Sequence, residues 1–305
     1  MKKVLIAIIL LLFTVPVYGV EPDSSKTEPV AKVEISAVPS VEVLPPSILD
    51  VMVAINRLAT DTDKALKGKL ILGNVNGVML KKEVSDFEMK PKEKRTIVRF
   101  RMTQPPASIF SFAMKLVDEQ GKEILREPTR RYSVVQTFAD GKDGAYPEKY
   151  SPVLDGDDKV RAEAQLTYAR APKGGPNEVC IRLDYNFDKG SRVVKLIPTL
   201  KLMVFADHPR SAKVWVKGNS SDAVMRLRFT DATGQVFQQD YGKLDFADWQ
   251  CMEAKLTDDG AEHWDGKNDG KSSYPIAWDT LLLIDPLGQK MKGRVYLGTI
   301  MMCYD

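Results

Sequence analysis

Apolar and polar residues alternate along much of this chain with a period of two, the repeat of a β-strand that buries one face. The clearest case is residues 224–230, where Met225, Leu227 and Phe229 interleave with Val224, Arg226 and Arg228. Asp231-Ala232-Thr233-Gly234 supplies a reversal in which Gly234 is free to take a positive φ. Residues 236–241 read as the returning strand, and Tyr241-Gly242, Phe246 and Trp249 form a corner that feeds the next strand at 250–256.

The same reading predicts earlier strands over 48–55, 68–72, 96–102, 109–117, 124–125 and 132–135. Turn signals separate them, such as Asp118-Glu119-Gln120-Gly121. Later strands are expected over 160–167, 179–185, 193–198, 201–206, 212–217, 280–284 and 294–304. No helix-length segment sustains a period of 3.6. The fold class read from this pattern is all-β. Residues 48–137 resemble an immunoglobulin-like β-sandwich in pattern alone, since the Cys–Trp–Cys spacing of that fold is missing. Residues 138–305 read as two antiparallel sheets packed as a jelly roll.

The N-terminus departs from this pattern. Lys2-Lys3, an apolar run over 4–17 and small residues near Gly19 make residues 1–19 a secretory signal peptide, so export to the periplasm or beyond is expected. The apolar run is short for a membrane span, and no membrane anchor is expected after cleavage. Residues 20–47, with prolines at 22, 29, 39, 45 and 46, read as a disordered tether. Loss of Lys2 and Lys3 with the signal takes the net charge from +3 to +1, which argues against nucleic acid as a partner. Three cysteines, Cys180, Cys251 and Cys303, sit in apolar runs and read as buried thiols, with one disulfide left open. With two histidines, His208 and His263, and no C-x-x-C, a zinc site or a Cys/His catalytic pair lacks raw material.

Several segments of the second half resemble the galactose-binding-like jelly roll. They are Asp184-Tyr-Asn-Phe187 with Gly190, Ser211 to Asn219 around Trp215, Arg226 to Gly234, and Tyr241 to Phe246 with Trp249. Gly293 to Ile300 fits the closing strand of such domains, although Gly298-Thr299 stands where the family often has Asp-Asp. The resemblance covers 138–305. It implies a fold shared by many carbohydrate-binding modules of secreted polysaccharide-degrading systems, and hence a carbohydrate or cell-surface glycan as partner.

Among the candidate site residues, Trp264, Asp265, Asn268, Asp269 and Tyr274 lie in one polar, glycine-rich loop. Such a loop on a rigid sandwich suits sugar binding, with an aromatic face under the ring and amides or acids on the hydroxyls. The competing reading of this loop is a packed cover, and Trp215 and Trp249 read as core. Arg226 and Arg228 share one sheet face, a solvated convex face or, if concave, a surface for sugar hydroxyls or uronate carboxylates. Asp155 and Asp157, with Asp305, are candidate ligands for a structural calcium, and otherwise plain turn formers; no other cofactor is expected. The acids at 258, 259, 262, 265 and 269 are not fixed across a cleft, so a hydrolase ranks third. The function read from the sequence is non-catalytic glycan binding, with the first sandwich as a spacer. The alternative is a structural or adhesive protein that contacts other surface proteins.

Overall fold

The computed structural model describes residues 33–40, 49–57, 64–93, 95–103, 109–138, 141–175, 177–199, 204–258 and 260–304. In chain order the strands are β1 (Val33–Ser40), β2 (Leu49–Arg57), β3 (Leu66–Asn76), β4 (Val84–Met89), β5 (Arg95–Met102), β6 (Phe110–Asp118), β7 (Glu123–Gln136), β8 (Tyr150–Gly156) and β9 (Ala162–Arg170). They continue as β10 (Val179–Phe187), β11 (Arg192–Pro198), β12 (Val204–Phe205), β13 (Ser211–Lys217), β14 (Val224–Thr230), β15 (Val236–Lys243), β16 (Trp249–Lys255), β17 (Glu262–Trp264), β18 (Ile276–Asp285) and β19 (Met291–Tyr304).

These strands make three antiparallel sheets. A three-stranded sheet runs β1-β2-β5, and a seven-stranded sheet runs β17-β15-β14-β18-β11-β8, with β12 beside β18. The nine-stranded sheet between them runs β16-β13-β19-β7-β6-β3-β4, with β10 and β9 joined through β19. β19 is its hub. Its first half pairs with β10 up to Leu297↔Ile181, its second half pairs with β7 from Ile300↔Gln136, and β13 follows its other edge. Thr299 is fully buried where β10 gives way to β7. There the Asn177 amide donates to the Thr137 carbonyl and, at 3.2 Å, to the Thr299 hydroxyl, so a buried side-chain amide ties the two strands at the switch.

The period-two pattern sends alternate side chains of the middle sheet into two cores. On β13, Val214 and Val216 join Leu183, Leu227, Phe237 and Leu297 between the nine- and seven-stranded sheets. Trp215 points the other way, into a core with Val53, Phe100, Phe110, Phe112 and Tyr132. The Arg95 guanidinium lies 4.6 Å from the centre of the Trp215 ring. Burying each such side chain contributes roughly 1.5–3 kcal/mol, so both cores are substantial.

Several expectations meet the structure here. Trp215 and Trp249 are core residues, as the sequence predicts. Residues 33–40 lie inside the expected tether but form β1, paired with β2 along eight positions. β1 is an edge strand, which tolerates the missing donor of Pro39. β4, β8 and β17 are strands that the alternation does not announce. The segments expected at 124–125 and 132–135 are one strand, β7, with register shifts opposite β6. The boundary expected at 137/138 falls where β7 ends. The nine-stranded sheet nevertheless runs through it by the β7–β19 pairing, and the second core takes Cys180, Trp215, Trp249, Met301 and Cys303 from beyond it. Residues 1–32 and 41–48, with the signal segment and most of the tether, lie outside the described residues. All three cysteines are free thiols, and burial pushes Cys180 up to about 12.

Candidate functional site

Arg226, Arg228 and Thr230 face away from the first core because Met225, Leu227 and Phe229 fill it. Arg228 opposes Gln238 on β15, and Gln238 opposes Glu262 on β17. Arg228 Nε donates to Gln238 Oε1 at 2.8 Å, and Gln238 Nε2 donates to Glu262 Oε2 at 2.5 Å. The same guanidinium lies 5.1 Å from the centre of the Trp264 ring on β17, and its Nη1 is 3.8 Å from Asp155 Oδ2 on β8. β17 and β8 are opposite ends of the path through this sheet. With strands about 4.8 Å apart, a flat sheet would hold those ends about 24 Å apart. One guanidinium reaches both, so the outward face is concave and closes over Arg228.

Arg226 is fully engaged. Its Nε donates to Asp240 Oδ1 at 2.8 Å and its Nη1 to Asp285 Oδ2. Asp155 closes β8 and accepts from Gly156 N at 2.9 Å, while Lys195 Nζ lies 2.8 Å from its other oxygen. The Lys195 hydrogen bond holds the Asp155 carboxyl below the usual carboxylate range, against the opposing effect of burial. Asp157 instead accepts from Lys159 N at 3.0 Å within its own turn. Asp305 lies outside the described residues, among which no three acids, cysteines or histidines gather as a metal set.

The 263–275 loop is tied down from below. Asp231 Oδ1 accepts from Thr233 N at 2.8 Å, Thr233 Oγ1 at 2.7 Å and Gln235 N at 2.9 Å, and Oδ2 accepts from Ser273 N at 2.9 Å. Gln235, fully buried, accepts from Gly270 N at 3.2 Å and donates to the Lys271 carbonyl at 3.3 Å. A Cβ on Gly266 would sit 2.2 Å from Gln235 N, so only glycine fits where the loop crosses the β14–β15 turn. Within the loop, Asn268 Oδ1 meets His263 Nδ1 at 2.8 Å, Asp269 accepts from Lys271 N at 3.0 Å, and Asp265 is exposed at positive φ. Tyr274 stacks on His208 at 3.8 Å and packs partly against the first core. Trp264 alone among the loop's candidates joins Arg228 and Asp155; Tyr274 and Arg226 lie with other partners.

Beside the Arg228 row the concave face opens into a cleft of about 430 Å³, lined by Ser151 and Val153 of β8, Ile197, Thr230 of β14, and Ala277 and Asp279 of β18. The Ser151 and Thr230 hydroxyls have no protein partner among the described residues. Asp279 is exposed and accepts from Thr280 Oγ1 at 2.9 Å. These groups offer donors, acceptors and an apolar floor in a cavity of small-ligand size. Sequence reasoning missed them. Thr230 continues the outward row of β14 and was within reach, whereas Ser151 lies on a strand that the pattern hides.

No family model matches the chain, and neither does any curated protein. Among solved structures, a family 11 carbohydrate-binding module of the cellulosomal cellulase Lic26A-Cel5E of Clostridium thermocellum is similar to it. The likeness covers 56% of this chain and 93% of that one, at 8% identity and a TM-score of 0.39.

Proposed function

We propose that this chain is an exported, non-catalytic glycan-binding protein that holds its ligand on the concave face of the seven-stranded sheet. The observation that carries this reading is the curl of that sheet over Arg228, which sets a fixed guanidinium beside a cleft with unmet hydroxyls and one exposed carboxylate. A carboxylate and hydroxyl groups lining a partly apolar cleft, with Arg228 two residues from Thr230 along the same row, match the needs of a pyranose, whose edges are hydroxylated and whose faces are apolar. Among the described residues the cleft is lined by a single carboxylate, Asp279, where glycoside hydrolysis uses a pair. A structural calcium at Asp155, Asp157 and Asp305 is a separate proposal, to be checked by melting with and without a chelator.

The test is titration calorimetry of the intact chain against soluble glycans, repeated with Asp279→Ala and Arg228→Ala. Each variant should weaken binding about tenfold while melting within a few degrees of the parent.

The second reading is assembly through protein contacts. β4 and β16 end the path of the nine-stranded sheet, and Val84 on β4 is an exposed apolar residue at such an edge. A folded chain that binds no glycan and sediments as an oligomer would favour it.

A further inference from the structure

The segment ahead of β8 carries a feature that the concave face does not use. Gly144 N donates to the Tyr168 carbonyl at 2.9 Å, and Tyr168 N donates to the Ala145 carbonyl at 2.8 Å, so this loop extends the sheet edge alongside β9. Asp143 adds a second tie by accepting from Arg170 N at 3.1 Å. The loop thus holds Tyr146 in place, and Tyr146 Oη donates to the Tyr150 carbonyl at 3.1 Å. Despite these anchors, Tyr146 is 52% exposed and is the one aromatic among the exposed large apolar residues described.

Tyr146 stands at a cavity of about 440 Å³ beside the outward row of β9 and β10, shared with Gln165, Thr167 and Arg182 and bordered by Pro152 of β8. Thr167 opposes Arg182 and Gln165 opposes Asp184, so the polar groups sit side by side. The Gln165 and Thr167 side chains have no hydrogen-bond partner among the described residues. Asp184 is shared between Arg182 Nε at 2.8 Å and Arg294 Nε at 2.5 Å, leaving this patch with one more guanidinium than carboxylates. The Arg182 Nε–H is buried and no acceptor lies in line with it.

We propose that Tyr146, Gln165, Thr167 and Arg182 form a second sugar-binding site, where β9 of the nine-stranded sheet runs beside β8, with no lining residue in common with the concave-face cleft. A fixed, half-exposed ring offers the platform for the apolar face of a pyranose, and the amide, hydroxyl and guanidinium offer the donors and acceptors for its hydroxyls. The inference rests on the glycan reading for the class of its ligand, but on different residues. Two sites with separate lining residues would let one chain grip a polymer at two points, which raises avidity without a new contact at either.

The experiment titrates the intact chain with hexasaccharides of glucose, xylose, mannose, N-acetylglucosamine and galacturonate. Tyr146→Ala and Arg182→Ala are each expected to weaken binding of at least one of them about tenfold. Tyr146→Phe, which keeps the platform, should bind as the parent does. Binding that survives in the double variant Arg228→Ala/Asp279→Ala and is lost on adding Tyr146→Ala assigns it to this site. If Tyr146→Ala and Arg182→Ala bind as the parent does while Arg228→Ala abolishes binding, the second site is overturned and the concave-face reading stands. If the folded parent binds none of the five, both fall.

Discussion

At Asp231 one carboxylate closes two loops. It accepts three bonds from its own turn and a fourth from Ser273, forty-two residues further along. Burial works to raise this carboxyl, but the bonds from Thr233, Ser273 and Gln235 outweigh it and hold the group below its ordinary range. A depressed folded-state value stabilises the fold above the unfolded value of about 3.9, and that stabilisation is lost as pH falls through the folded value. Asp231→Ala should therefore cost about 2–4 kcal/mol near neutral pH, with the gap between variant and parent shrinking below about pH 4. Urea melts at pH 7, 4 and 3 check this; a gap independent of pH would remove the charge from the account. The turn itself was legible in Asp-Ala-Thr-Gly. Its reach to Ser273 was not, because that partner is brought near only by the folded sheet. The same holds for Arg228: its outward direction could be read from alternation, but the curvature that places Trp264 and Asp155 around it could not.

Strands with strong alternation, such as β14 and β5, were readable from local pattern, and so was the all-β class. The hidden strands share a physical cause. β8 carries Pro152 and β4 carries Ser85-Asp86. Both end the path of their sheet, where a missing donor or a polar pair is tolerated. The switch of partners along β19 was equally silent, since Gly298-Thr299 reads as an interruption in an apolar run. Asn177 is what that interruption requires. Asn177→Leu should destabilise the chain by about 1–3 kcal/mol, because it takes the amide away from the fully buried Thr299 hydroxyl. The midpoint of denaturant unfolding measures the loss, and an unchanged midpoint would mean that water replaces the amide there.

For the molecule as a whole, the middle sheet contributes side chains to both cores, and Trp215, Trp249 and Met301 belong to the second core although they lie past residue 138. The described body should therefore melt in one transition. A fragment of residues 138–305 should be less stable by more than about 5 kcal/mol, because removing β1 to β7 uncovers two tryptophans and leaves the second half of β19 unpaired on one side. Scanning calorimetry of both proteins decides this. Two separate transitions in the intact chain, with the fragment keeping the upper one, would make the halves independent.

The position of β19 also sets a timetable. Its partners β7, β10 and β13 all precede it in the chain, so each emerges from the ribosome with an edge that only β19 can cover. Until Met291–Tyr304 has been made, the growing polypeptide holds three open seams and two unfinished interiors. A chain built this way closes both interiors in one late step, when β19 pairs with strands made long before it.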